Sequence, residues 1–382
     1  MKRCFLLFAS FLLFLPAQAL STDSLKVSLL TVEPRPAHVY TVYGHTALRL
    51  YDPSQYIDMV FNWGTFDVDA PHFLYHFILG ETDYFLSYTN YAQFLNTYMA
   101  ANVTVIEQVL DLSSEGKELL IQKLSANLQP ENLIYRYNFL FDNCTTRVRD
   151  LIELSSPGLV YPVQTETTTF RKLIHSCTES YRWMTFGIDL LIGSGADSLI
   201  SVRQELFLPE KLEEALDPTP VVTSSQKVLK AGLELDFMPW PWESPFIVGF
   251  TLLTIYIIVA VYGWLKQWKL KGGFAPLFFI AGAAGCLLAF MAAFSDHPCV
   301  SANWNLLWLH PFYFIAFTGC FLRKPYRLIT WYHSVNFVLL CGLLLGWHWI
   351  PQALNPADIP FILCLALASG YWILINKKHY RV

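Results

Sequence analysis

The sequence predicts an α+β domain exported from the cytoplasm, followed by an all-α bundle of five transmembrane helices. Three observations lead there. Long apolar runs cluster after residue 245, charge is split unequally between the two parts, and the front part alternates apolar and polar residues as strands do. At 382 residues the chain is long enough for two domains. The expected boundaries are an export signal at 1–19, a soluble domain at 20–235, a linker at 236–245 and a membrane domain at 246–382.

Residues 1–19 carry the marks of a signal: Lys2 and Arg3, an apolar run over 5–16, and Ala17-Gln18-Ala19 as a small-residue cleavage site. Strands are expected at 25–32, 39–51 and 56–66, forming an antiparallel sheet. Pro71 opens a helix that Gly80 stops. A short strand is expected at 82–86, helices at 91–100 and 113–128, and a strand at 103–110 between those helices. Residues 205–216 read as a return segment. Pro218, Pro220, Pro239, Pro241 and Pro245 make the stretch before the membrane part a linker, with Trp240 and Trp242 as interfacial anchors.

Five runs, 246–265, 274–294, 303–322, 328–348 and 358–376, approach the ~20 apolar residues that cross a bilayer. Lys266, Lys269 and Lys271 follow the first, Arg323, Lys324 and Arg327 the third, and Lys377, Lys378 and Arg381 the fifth. The two alternate loops hold only Asp296 and Asp358 as charges. The positive-inside rule therefore puts the C-terminus in the cytoplasm and the front domain in the periplasm of an inner membrane. These nine basic and two acidic residues give the back part +7; with −4 overall, the first 244 residues carry −11. That sign excludes nucleic acid as a partner.

Four of the eight cysteines, Cys286, Cys320, Cys341 and Cys364, lie in membrane runs and read as small apolar residues. Cys144 differs. It stands in Asn143-Cys144-Thr145-Thr146 at the start of a helix, where roughly +0.5 of a charge favours thiolate over thiol. A nucleophile of this kind needs a base and a group to fix the base. His45, after a glycine at the mouth of a strand, supplies the first. Asn62 on the neighbouring strand is favoured for the second, with Asp58 in competition. A Cys144–Cys177 disulfide is the plainer alternative.

The order His before Cys is the reverse of papain and is similar to the circularly permuted papain-like group, which includes lecithin:retinol acyltransferase and NlpC-like proteins. Longer blocks carry a closer resemblance: Ser28-Leu29-Leu30-Thr31, Tyr43-Gly44-His45-Thr46-Ala47-Leu48-Arg49, Phe61-Asn62-Trp63-Gly64-Thr65-Phe66-Asp67, the run from Tyr135 to Thr146, and Leu206-Phe207-Leu208-Pro209. Together with Ser295-Asp296-His297-Pro298 and Asn303-Trp304-Asn305-Leu306-Leu307-Trp308, they resemble the Bacteroidota lipoprotein N-acyltransferase family, Lnb. That resemblance implies transfer of a fatty acyl chain from a membrane phospholipid to the α-amine of a diacylglyceryl-cysteine lipoprotein, with Cys144 as nucleophile and His45 as base. It implies no cofactor.

Tyr43, Arg147, Asp296, His297, Asn303 and Asn305 are the expected substrate contacts, and backbone N–H groups of Cys144 and Thr145 the expected oxyanion donors. His310, an ionisable group at membrane depth, is either functional or hydrogen-bonded to a neighbouring helix. His72 and His76 share a helix face, but no further ligand stands beside them, so no metal is expected. Two rival readings remain: a cell-wall amidase or cysteine peptidase, and a membrane sensor or scaffold without catalysis.

Overall fold

A computed structural model describes Thr22 and residues 24–34, 41–162, 167–232, 240–266, 270–322 and 327–377. The export segment 1–19 and linker residues 236–239 lie outside the described residues.

The front domain is built on a seven-stranded antiparallel sheet. Its strands are β1 (Lys26–Val32), β2 (His45–Asp52), β3 (Ile57–Thr65), β4 (Asp83–Asn90), β5 (Val105–Leu110), β6 (Ile134–Arg136) and β7 (Val222–Leu229), in the order β6-β4-β3-β2-β1-β5-β7. The three strands expected first pair as expected, with Leu29 opposite Leu48 and Leu48 opposite Phe61. Period-two alternation sends neighbouring residues to two cores. Leu29, Leu48 and Trp63 pack with Leu120 of α3 (Ser114–Asn127) and with Val148 and Ile152 of α4 (Cys144–Ser155). Leu30, Ala47, Val60 and Val105 pack instead with Phe94 of α2 (Tyr91–Ala100). α1 (Phe73–Leu79) ends at Gly80, as its sequence predicts.

The proline-bearing stretch from Pro218 to Pro245, read as linker although its first part lies within the expected 20–235 domain, contains β7. This strand is mostly exposed and polar, and it joins the sheet through backbone pairing with β5. It adds little to a core, so hydrophobic periodicity does not reveal it. Helices α5 (Phe170–Thr178), α6 (Arg182–Leu191), α7 (Val202–Glu205) and α8 (Pro209–Leu216) complete the domain.

The back part contains α9 (Pro245–Leu265), α10 (Ala275–Phe294), α11 (Tyr313–Phe321), α12 (Arg327–Leu345) and α13 (Asp358–Lys377). Among the described residues four helices are long and apolar enough to cross a membrane: Pro245–Leu265, Lys271–Phe294, Arg327–Leu345 and Asp358–Ile375. The expected third span, 303–322, is not one continuous helix. A 3-10 turn, Trp304–Leu307, leads through Pro311 into the nine residues of α11. Proline lacks an N–H and its ring displaces the preceding turn.

The asparagines before that break fasten the two parts together. Asn303 Nδ2 donates to the carbonyls of Leu190 (2.7 Å) and Leu191 (3.1 Å), and Asn305 Nδ2 to that of Asp189 (2.9 Å), all on α6. From the next outer loop, Gln352 donates to the Ile192 carbonyl at 3.0 Å and Asn355 to Asp189 Oδ2 at 2.8 Å. Arg171 of α5 backs the seam with ion pairs to Asp189 (2.6 Å) and Asp197 (2.7 Å). Leu190 and Leu191 pack against the core of the membrane part.

Candidate active site

Cys144 is the first residue of α4, and the chain holds it there by a cap. Asn143 Oδ1 accepts from the N–H groups of Thr145 and Thr146, each at 2.8 Å, and the Thr146 hydroxyl accepts from the Asn143 N–H at 2.8 Å. This reciprocal capping box fixes the first turn. Asn143 Nδ2 then donates to the carbonyls of Phe139 (2.7 Å) and Phe207 (2.9 Å), tying the thiol to the distant Leu206-Phe207-Leu208 segment.

His45 opens β2 across the sheet end. Gly44 before it has φ +75°, and a Cβ there would stand 2.4 Å from the Val32 carbonyl oxygen, so the turn requires glycine. His45 Nε2 lies 3.2 Å from Asn62 Oδ1. That leaves Nδ1 for Cys144, which the Thr46–Thr145 hydroxyl contact at 3.0 Å between β2 and α4 brings close enough for thiol and imidazole to interact electrostatically. Asp58, the competitor for Asn62's place, is committed elsewhere: Arg49 binds it at 2.7 and 2.9 Å and also holds Glu107.

Burial opposes charge on both partners, pushing the Cys144 thiol up and the His45 imidazole down. Their mutual attraction outweighs it. The Thr46 backbone and the Thr145 hydroxyl add hydrogen bonds to the sulfur, and Asn62 adds one to the imidazole. The thiol ends below its ordinary value and the imidazole above its own, the condition for a thiolate–imidazolium pair. The described cysteines are all free, Cys144 and Cys177 included, so the disulfide alternative does not hold.

The three residues expected to act together are therefore assembled. Residues 16–176 match the Lnb N-terminal periplasmic domain, and residues 238–379 match the Lnb transmembrane domain. The chain belongs to the Lnb family. No curated protein and no solved structure matches it. It is thus a membrane protein with a periplasmic N-terminal domain and several membrane helices, of the lipoprotein N-acyltransferase-like Lnb type.

In this Lnb-family chain the other expected contacts stand apart from the thiol's hydrogen bonds. Arg147 is held by Asp142 through two bonds, 2.6 and 2.8 Å, and its guanidinium lies 3.6 Å over the Tyr135 ring. Tyr43 packs on Phe139 with ring centroids 4.6 Å apart. Asn303 and Asn305 are buried in the seam. Asp296 and His297 bind the end of α1: the Asp296 N–H donates to the Leu79 carbonyl at 2.7 Å, and His297 Nε2 meets the Phe77 carbonyl at 2.6 Å. His310 meets Asn336 of α12 at 3.2 Å, the neighbouring-helix alternative.

One expected donor is excluded. The Thr145 N–H points to Asn143 Oδ1, so it is occupied by the cap and not offered to an oxyanion. The sequence also passes over Gly64, whose φ of +90° sets it beside the thiol. A Cβ at Gly64 would lie 3.7 Å from Cys144 Cβ and 3.8 Å from the Tyr137 ring. The signal was present: a glycine inside an apolar strand marks a bulge or a close approach, and the β3–β4 register shifts between Asn62 and Thr65.

Proposed function

We propose that this chain is a lipoprotein N-acyltransferase of the inner membrane, its C-terminus cytoplasmic, that moves a fatty acyl chain from a phospholipid to a diacylated lipoprotein through a thioester on Cys144. The observation that carries the reading is the juxtaposition of Cys144 with His45, whose imidazole is hydrogen-bonded to Asn62, in a domain clasped to a membrane bundle.

The Cys144 thiolate attacks the ester carbonyl, forming the C–S bond. The C–O bond breaks as the His45 imidazolium gives its proton to the departing lysophospholipid oxygen. The free α-amine of the lipoprotein then attacks the thioester. Neutral His45 takes the amine proton as the C–N bond forms and the C–S bond breaks, which restores the thiolate. Asn62 holds the imidazole in register for both proton movements. The Cys144 backbone N–H stands at the helix start as oxyanion donor, a contribution of about 3 kcal/mol in comparable sites. Tyr137 and Trp63 make the surroundings apolar, which favours transfer to the amine over hydrolysis.

Mass spectrometry tests this directly. Purified protein given phospholipid should gain an acyl mass on Cys144, and Cys144→Ala should gain none. Cells lacking the protein should carry lipoproteins with free N-termini. Unchanged N-acylation there, or an acyl adduct on the Cys144→Ala protein, would sink the reading. Intact lipoprotein acylation together with altered peptidoglycan would favour a cell-wall amidase.

A further inference from the structure

Helix α1 contains no Asp, Glu, Lys or Arg, and it exposes Leu74, Tyr75 and Phe77 at 69%, 56% and 45%. Such a face is costly in water unless something apolar covers it. Its last turn is fixed to the outer loop after α10. In addition to the Asp296 and His297 contacts, the Ser295 hydroxyl donates to the Ile78 carbonyl at 2.8 Å. Gly80, φ +74°, permits the approach, since a Cβ there would meet the His297 nitrogen at 2.8 Å. α10 ends at Phe294, itself 67% exposed. The apolar face of α1 thus continues the lipid-facing surface at the outer end of a membrane-spanning helix.

Behind that face a series of rings runs inward. Phe77 lies 6.0 Å from Phe73, Phe73 5.8 Å from Phe66, Phe66 4.8 Å from Tyr84 and Tyr84 4.2 Å from Tyr137, centroid to centroid. Tyr137 shares Gly64 with the thiol. A fatty acyl chain is the ligand that such a surface accepts, because it offers dispersion contact and no hydrogen-bonding group.

We propose that α1 rests against the acyl chains of the outer leaflet and forms the lip over which a lipid acyl ester reaches Cys144 along the ring series. The route to Cys144 rests on the acyl-transfer reading; the contact with the leaflet does not. The full-length protein in nanodiscs containing phosphatidylethanolamine with a diazirine in its acyl chain is photolysed and mapped by peptide mass spectrometry. Adducts are expected on residues 73–79, and adducts confined to 245–377 overturn the contact. In a second arm, Leu74→Glu with Tyr75→Glu lowers the ratio of Cys144 acylation by bilayer phospholipid to acylation by water-soluble p-nitrophenyl butyrate by about tenfold or more. An unchanged ratio overturns the lip. Wild-type protein that takes butyrate on no sulfur refutes the acyl-transfer reading instead, and the photo-adducts then decide the position of α1 alone.

Discussion

Asparagine does opposite work in two regions of this molecule. At the sheet end, Asn62 turns its oxygen to His45, and the imidazole it orients keeps a nitrogen for the thiol. At the seam, Asn303 and Asn305 turn their amide nitrogens to the last carbonyls of α6. All three belong to the same family-like blocks of sequence. What separates them is the partner: a titratable ring in one place, and backbone oxygens that would otherwise be buried unsatisfied in the other. The first region sets reactivity and the second sets position, so perturbing each should move a different observable.

Removing the base tests the first region most severely. His45→Ala should lower thioester formation by roughly 10²- to 10⁴-fold with the fold intact, read by stopped-flow acylation and circular dichroism. The pH profile of the native protein should report the pair. Because the thiol is depressed and the imidazole raised, the thiolate–imidazolium form fills the window between them. Activity should fall on the acid side as the thiolate gains a proton, and on the alkaline side as His45 loses the one it gives to the leaving oxygen. A profile without an acid limb would contradict the pairing.

At the seam, Arg171→Leu leaves the buried Asp189 with His175 and Asn355 as its side-chain partners but without the guanidinium, which Asp197 loses as well. The expected destabilisation is about 3–5 kcal/mol, seen as a lower unfolding temperature in detergent, while molecules that remain folded keep their acylation rate. Equal loss of rate and stability would mean that the two regions are not separable. Asn62→Ala should cost less than loss of the histidine, about 10- to 100-fold in rate, with Asn62→Asp recovering part because an acceptor oxygen returns. The smallest effect expected is that of Asn305→Leu. It leaves the Asp189 carbonyl and the Trp308 indole without their partner, a loss of about 1–3 kcal/mol with the rate of thioester formation unchanged.

The strands that carry the site were legible because each buries one or both faces and so shows its period. Leu29 and Leu30 enter separate cores, and β1 reads as a strand from that pattern alone. The nucleophile's helix start was legible from Asn143-Cys144-Thr145-Thr146, whose capping chemistry is local. β7 was hidden because its side chains face water and its place is fixed by backbone pairing. The third apolar run has the composition of a span, yet hydropathy does not register that Pro311 interrupts it or that Asn303 and Asn305 are needed by α6. For the same reason the seam was invisible. Its donors and acceptors lie more than 100 residues apart in sequence, and no spacing rule joins them.

Loops from two places in the bundle grip α6, and such a grip would hold the thiol at one altitude above the bilayer plane. On the proposed chemistry both reactants arrive by lateral diffusion, and neither can be fetched. A lipoprotein whose folded body begins too few residues after its anchor would be stopped by collision with this domain before its amine reached the sulfur. The span of the acceptor's unfolded leash thereby becomes a criterion of selection, enforced by rigid docking and not by recognition of any side chain.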